Sequence, residues 1–418
     1  MDILMNAVQT LLGMGATAIL PIMILILGLV FRMKFGEALK AGLLVGIGFN
    51  GLGLVINLLF STIQPAVDFY SKLGHGYTVT DMGWAAVGAA SWSVPFAPFV
   101  VPVIFIINII MIRMKWTKVM NVDIWNFIHM LIPGALAYAM FNNVWIGILI
   151  TLIMAVVAIK FGEHVAPAWQ DYYGLEGTTC STASFVLMYP IFEALDKLYS
   201  KIPGLNKVNV NVDELSQKLG VFGESSFIGI VVGVILALMT KQNVTGVFQM
   251  AIGFASVLVL IPRMVAVMME GITPIGGAAN EFMSKWVGEE DTLLIGMDVC
   301  LGLGDPTCIV ITAIMIPYTI LCAFIIPNMN YFPVGILSVV CYTVVMPTLA
   351  HRGNFIRTLI SCIIMITFIA WATNVFAPEA TMMVSTTGLK VKGMVTDSFF
   401  GYNLMNVLLE IIHRLFMM

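Results

Sequence analysis

Residues 294–306 read LIGMDVCLGLGDP and run directly into TCIVITAIMIPYTILCAFIIP at 307–327. The second stretch can cross a bilayer, which takes about 20 apolar residues. The first is apolar but glycine-rich, too short to cross, and carries Asp298 and Asp305. Such backbone survives at membrane depth only inside protein or beside a wet cavity. Together they read as a broken helix or re-entrant hairpin feeding a spanning helix, the arrangement in which transporters place their sites.

The same alternation fills the chain. Spanning stretches are expected near 8–31, 41–62, 94–113, 127–142, 144–161, 226–240, 246–270, 307–327, 331–349, 355–377 and 400–416. Gly/Ser/Thr-rich stretches at 81–93, 174–195, 271–284, 294–306 and 383–402 are expected to be re-entrant or broken. Composition agrees: of 418 residues 60% are hydrophobic and 10% charged, against about 25% charged in a soluble domain. Lipid is therefore the main solvent. The fold class expected is an all-α polytopic membrane protein. A net charge of −3 with scattered basic residues gives nucleic-acid binding no support.

The N-terminal apolar run has Asp2 and no basic residue ahead of it, so it reads as a retained helix, not a cleaved leader. With the N-terminus outside, 16 Lys/Arg fall in cytoplasmic segments and four outside, and the C-terminus is cytoplasmic. The polar stretch 196–224 is then a cytoplasmic connector. Asn143–Pro167 aligns without gaps on Asn354–Pro378, and Asp81 echoes Asp298. About 11 transmembrane helices are expected, as two inverted five-helix repeats with re-entrant hairpins plus one C-terminal helix.

Buried ionisable groups at membrane depth need a reason. Asp305, between Gly304 and Pro306, either caps the following helix or accepts hydrogen bonds from substrate hydroxyls. The Gly-flanked Glu176 favours the second reading for both. Thr178, Thr179 and Ser181 in one hairpin, and Ser385, Thr386 and Thr387 in the other, offer hydroxyls that both donate and accept, which suits a sugar or polyol. Backbone capping is the alternative for them. Ser91 and Trp92 precede a Val-Pro step, where the indole can stack on a carbohydrate or anchor at the interface. His129 fits a satisfied structural histidine better than a ligand. His351, beside Arg352, is expected to meet a cytoplasmic partner or lipid headgroups.

Six cysteines lack any CxxC spacing, so neither disulfide nor zinc is expected, and no cofactor is implied. Gly46–Gly51 matches GxGxxG but lies inside an apolar span and reads as helix packing. No P-loop or HExxH occurs. An ion-coupled secondary transporter of a small polar solute stays open. An intramembrane enzyme is disfavoured, because no hairpin pairs a nucleophile with a base.

Gly13–Ala16, Phe31–Gly42, Gly174–Gly177, Glu270–Pro274 and Gly302–Pro306, in that order, resemble the galactitol-type enzyme IIC family within the ascorbate–galactitol group of phosphotransferase permeases. The resemblance covers essentially the whole chain. It implies a homodimer whose protomers carry V-shaped scaffold pairs at 1–80 and 225–290. It implies a core at 81–195 and 291–395, with a last helix at 396–418. The core carries a neutral polyol or sugar by an elevator-like movement. Phosphorylation is by a separate IIB charged by IIA, so no phosphoryl chemistry is expected on this chain. By position, the resemblance puts the sugar near 174–181, Ser91–Ser93, Asp305–Thr307 and 385–387. Glu176–Thr179 stands where the ascorbate branch has a His-Gln pair, which favours a neutral solute.

Overall fold

The computed structural model describes residues 16–73, 77–121, 123–205, 212, 220, 224–287, 293–386 and 393–417. The first-half elements are α1 (Ala16–Val30), α2 (Phe35–Leu73), β1 (Val79–Asp81), α3 (Trp84–Trp92), α4 (Ala97–Arg113) and β2 (Val119–Asn121). They continue with α5 (Ile124–Phe141), α6 (Val144–Tyr173), β3 (Thr178–Cys180), α7 (Ala183–Val186) and α8 (Tyr189–Tyr199). The second half runs α9 (Ser225–Met239), α10 (Val244–Val287), β4 (Leu294–Met297), a 3-10 turn (Val299–Gly304) and α11 (Pro306–Ile325). It ends with α12 (Val334–Thr343), α13 (Val345–Ala350), α14 (Phe355–Val375), α15 (Ala377–Thr386), β5 (Met394–Thr396), α16 (Phe399–Tyr402) and α17 (Leu404–Met417).

Among the described residues, five helices are long and apolar enough to cross a membrane, lying in α2, α6, α10, α11 and α14. A sixth is possible if α3 and α4, bent by 85° at Ser93–Phe96, count as one span. The chain is thus mostly helical and polytopic. Its exposed apolar side chains, among them Ile47, Leu54, Trp145, Phe248 and Leu238, are what a lipid solvent demands of an outer surface.

Two expectations need correction. First, 271–284 is not a break but part of the 44-residue α10. Its glycine serves close packing: a Cβ on Gly271 would stand 2.5 Å from the Ala41 carbonyl of α2. One on Gly48 of α2 would likewise meet Met268. Small residues let two backbones approach in this way. Second, helices are not the whole story. Among the described residues, five short strands form two parallel sheets, β1–β5 and β2–β4–β3. Thr178 registers with Ile295, and Val79 with Met394. Backbone N–H and C=O groups at these places are buried and need partners, and parallel pairing between distant segments supplies them.

The chain divides into two compact units that interlace along the sequence. One comprises Met1–Leu52, Ala90–Leu187 and Met264–Leu301, and holds the β2–β4–β3 sheet. Met111, Val119, Ile159, Ala166 and Leu294 pack around that sheet. The other comprises Gly53–Ala89, Met188–Arg263 and Gly302–Met418, and holds β1–β5 beside Val79, Tyr331 and Ala377. Each sheet joins strands from both halves of the sequence. The matched asparagines both cap helices: Asn143 accepts from Trp145 N (2.9 Å) and Asn354 from Arg357 N (3.1 Å).

Candidate functional site

In the first unit, buried polar side chains gather where the three strands end. Asp123 caps α5 by accepting from Trp125 N at 3.0 Å. Its other oxygen accepts from Asp298 N at 3.1 Å, just past β4. Asn108 of α4 fixes the end of β2: its amide donates to the Val119 carbonyl at 2.8 Å and its oxygen accepts from Asn121 N at 2.8 Å. Asn121 Oδ1 in turn accepts from Asn126 Nδ2 (2.7 Å) and from the Ser181 hydroxyl (2.9 Å).

Thr182 lies at the centre. Its hydroxyl is 2.9 Å from Asn126 Oδ1 and 3.1 Å from Asp298 Oδ2, and accepts from Val299 N at 2.8 Å. A hydroxyl has one proton, so the two acceptors compete for it. One turn further along α5, His129 Nδ1 lies 2.8 Å from the Ser184 hydroxyl, with Phe185 against the ring. The Asn121 amide nitrogen is buried and has no hydrogen-bond partner among the described residues. The cluster thus combines two carboxylates, three side-chain amides and three hydroxyls with an uncommitted donor, and no lysine or arginine is among the residues it joins.

Of the residues singled out from sequence, this cluster brings together Ser181 and His129. Thr178 and Thr179 are buried, and their hydroxyls donate to backbone, at Leu175 O (2.8 Å) and Gly162 O (2.6 Å). Glu176 is exposed at the strand entrance. Asp305 caps α11, accepting from Cys308 N at 3.0 Å, and Thr307 donates to Gly353 O at 3.4 Å. Ser91 is buried and Trp92 half-buried at the α3–α4 bend. Ser385 and Thr386 are exposed at the end of α15, the latter bonded to Met382 O, and Thr387 lies outside the described residues. Asp123, Asn126, Thr182 and Ser184 were not singled out. Asp123 and Asn126 look like ordinary helix-entry residues, and the signal available was Asp298, whose echo at Asp81 marked a recurring carboxylate ahead of a helix.

The second unit has its own pair of strand-end carboxylates. Asp81 accepts from Gly83 N (3.1 Å) and Gly335 N (2.7 Å), and Asp397 from Phe399 N (2.9 Å). Both converge over the Gly335 α-carbon. An apolar recess lined by Leu59, Phe254, Leu258, Ile309, Thr312 and Cys341 offers little to a hydroxylated solute.

His351 corrects an expectation. It is 3% exposed, with Nδ1 2.9 Å from Asp196 Oδ1 and Nε2 2.7 Å from the Ser361 hydroxyl. Arg357 donates to the same Asp196 oxygen at 2.9 Å. The ring therefore knits α8 to α14 and is not a surface contact. Burial lowers its pKa from the ordinary histidine value, against the pull of Asp196.

Residues 10–397 match the family model EIIC-GAT, described as the PTS system sugar-specific permease component. The chain is 35% identical over 395 residues to the PTS system galactitol-specific EIIC component of Escherichia coli K12, covering 94% of this chain and 87% of that one. The O157:H7 counterpart matches equally. A putative permease IIC component of Escherichia coli K12 is 33% identical over 385 residues, covering 92% and 88%. A family match over nearly the whole length, on a polytopic helical frame, means that this chain belongs to the sugar-specific permease components of the PTS system, the EIIC-GAT family.

Proposed function

We propose that this protein imports a neutral polyol of the galactitol class and presents it for phosphorylation by a separate IIB chain, itself charged by IIA. The observation that carries the reading is the buried cluster of Asp298, Asp123, Asn121, Asn126, Ser181 and Thr182, alongside 35% identity to a galactitol-specific relative. Carboxylates accept from polyol hydroxyls, amides and hydroxyls both donate and accept, and no cation is present to favour an anion. The unpartnered Asn121 amide is a donor awaiting an acceptor. Thr178 and Thr179 hold the backbone of the strand that leads into this site. His129 and Ser184 flank it.

The proposal extends to architecture. The strand-end aspartates and the paired N-cap asparagines support two inverted repeats. An elevator-like core, a homodimer, an outside N-terminus and a cytoplasmic C-terminus in the inner membrane complete it. The experiment is uptake of labelled galactitol into vesicles that carry this chain together with its IIA and IIB. Accumulation as the phosphate ester, dependent on phosphoenolpyruvate and indifferent to a protonophore, is expected. Accumulation of free galactitol that collapses with the proton gradient overturns the reading in favour of an ion-coupled carrier.

A further inference from the structure

Helix α17 is amphipathic in the sense that lipid selects. Leu408, Ile411, Leu415 and Phe416 are exposed, whereas Asn406, Glu410 and His413 are buried. Three of its neighbourhood's ionisable groups are unequally served. Arg414 is committed to Glu379 of α15: its Nε and Nη2 donate to the two carboxylate oxygens at 2.8 and 2.9 Å. Nη2 also donates to Val375 O at 2.6 Å, and the guanidinium lies 5.0 Å from the Phe376 ring centroid. Glu410 stands one helical turn before Arg414, fully buried, and among the described residues neither of its oxygens has a hydrogen-bond partner.

Two carboxyls therefore compete for one guanidinium. The i,i+4 order, acid before base, is the favourable one for Glu410 and Arg414, yet Arg414 pairs elsewhere. An ionised carboxylate without partner in an apolar interior is not sustained, and such a group takes up a proton instead. We infer that Glu379, Glu410 and Arg414 form a proton-binding site with one exchangeable proton, carried by whichever carboxyl Arg414 does not pair with. In the arrangement described here Glu379 has the guanidinium and Glu410 the proton. If Arg414 turns to Glu410, Glu410 gives up its proton and Glu379 takes one. The sum of two carboxyls, one proton and one guanidinium is neutral in both arrangements, so the exchange leaves no net charge at this buried position. Among the described residues, the other titratable group shown beside the pair is His413 on the same helix, whose Nδ1 is 3.7 Å from Glu379 Oε1. The inference stands independently of which solute is carried.

Infrared difference spectroscopy of the full chain in lipid nanodiscs tests it, through the C=O stretch of a protonated carboxylic acid. The wild type is expected to show the band, and Glu410→Gln to lose its Glu410 component. Glu379→Gln is expected to lose that component too, because the released Arg414 pairs with Glu410 and ionises it. Arg414→Gln, with no guanidinium to share, is expected to raise the band above wild type, because both carboxyls then hold protons. Glu410→Gln spectra identical to wild type overturn the site. A band lost in Glu410→Gln but kept in Glu379→Gln overturns the exchange and leaves a static buried acid. Should Glu379→Gln not fold, Arg414→Gln decides alone: no gain in the band overturns the shared proton.

Discussion

Replacing Asp298 by asparagine removes a charge while leaving the hydrogen bonds of the strand end in place. Asp298 Oδ1 accepts from Cys300 N at 2.9 Å, and an amide oxygen there does the same. Oδ2 faces the Thr182 hydroxyl at 3.1 Å. An amide nitrogen in its place donates to Thr182, whose single proton then goes to Asn126 Oδ1 at 2.9 Å. No buried group loses its partner, and the repulsion between Asp298 and neighbouring Asp123 is relieved. Stability is therefore expected to stay within about 0.5 kcal/mol of wild type. A polyol hydroxyl, however, loses a charged acceptor, which is worth about 1.5–3 kcal/mol against about 0.5–1.5 for a neutral one. With the amide nitrogen facing the solute the bond is lost altogether, so the net cost is about 1–3 kcal/mol. That is a rise in Kd of roughly 5-fold to 150-fold. Isothermal titration of the purified protein with galactitol, beside a thermal melt of the same sample, reads both quantities. Wild-type affinity in a folded Asp298→Asn protein refutes this placement of the site. A large fall in melting temperature refutes the hydrogen-bond reasoning.

Gly335→Ala is expected to destabilise the second unit by about 1–3 kcal/mol, because its Cβ would stand 2.6 Å from oxygens of both Asp81 and Asp397; an unchanged melting temperature contradicts that packing. Asp305→Asn keeps the cap on Cys308 N and is expected to melt with wild type and bind galactitol within about twofold, while Asp305→Ala loses about 1 kcal/mol. A sharp affinity loss in the asparagine variant would instead make Asp305 a direct ligand. Because burial lowers the folded-state pKa of His351, the unfolded chain takes its proton first. Its contribution is then full above the ordinary value of about 6.5 and lost as pH falls through the folded pKa. Melting temperature followed from pH 7.5 downward (about 7.5 to 5.5) should fall less steeply in His351→Gln than in wild type; parallel slopes exclude that linkage.

How much was legible depended on range. Helices such as 144–173 and 306–325 are dictated locally, since a lipid solvent requires an unbroken apolar run whatever the rest of the chain does. The hairpins at 174–195 and 294–306 were legible as places that cannot span. That they meet as parallel strands was not, because Thr178 pairs with Ile295 across more than a hundred residues and three-residue strands have no usable period. Glycine misled at 271–284, which the helix crosses unbroken: Gly271 marks close packing against α2, and a Cβ on Gly276 or Gly277 would meet nothing within 4 Å among the described residues. His351 misled because its neighbour Arg352 is exposed while its own ring turns inward to Ser361.

Sequence by itself determined the solvent, the helical class and the family, because transfer from water to lipid acts on each segment separately and leaves its record in composition and motif order. Only the tertiary structure decided which carboxylates matter. Asp123 and Asp298 are far apart in the chain and become neighbours when β2 and β4 pair, so their joint chemistry exists only once the strands have met.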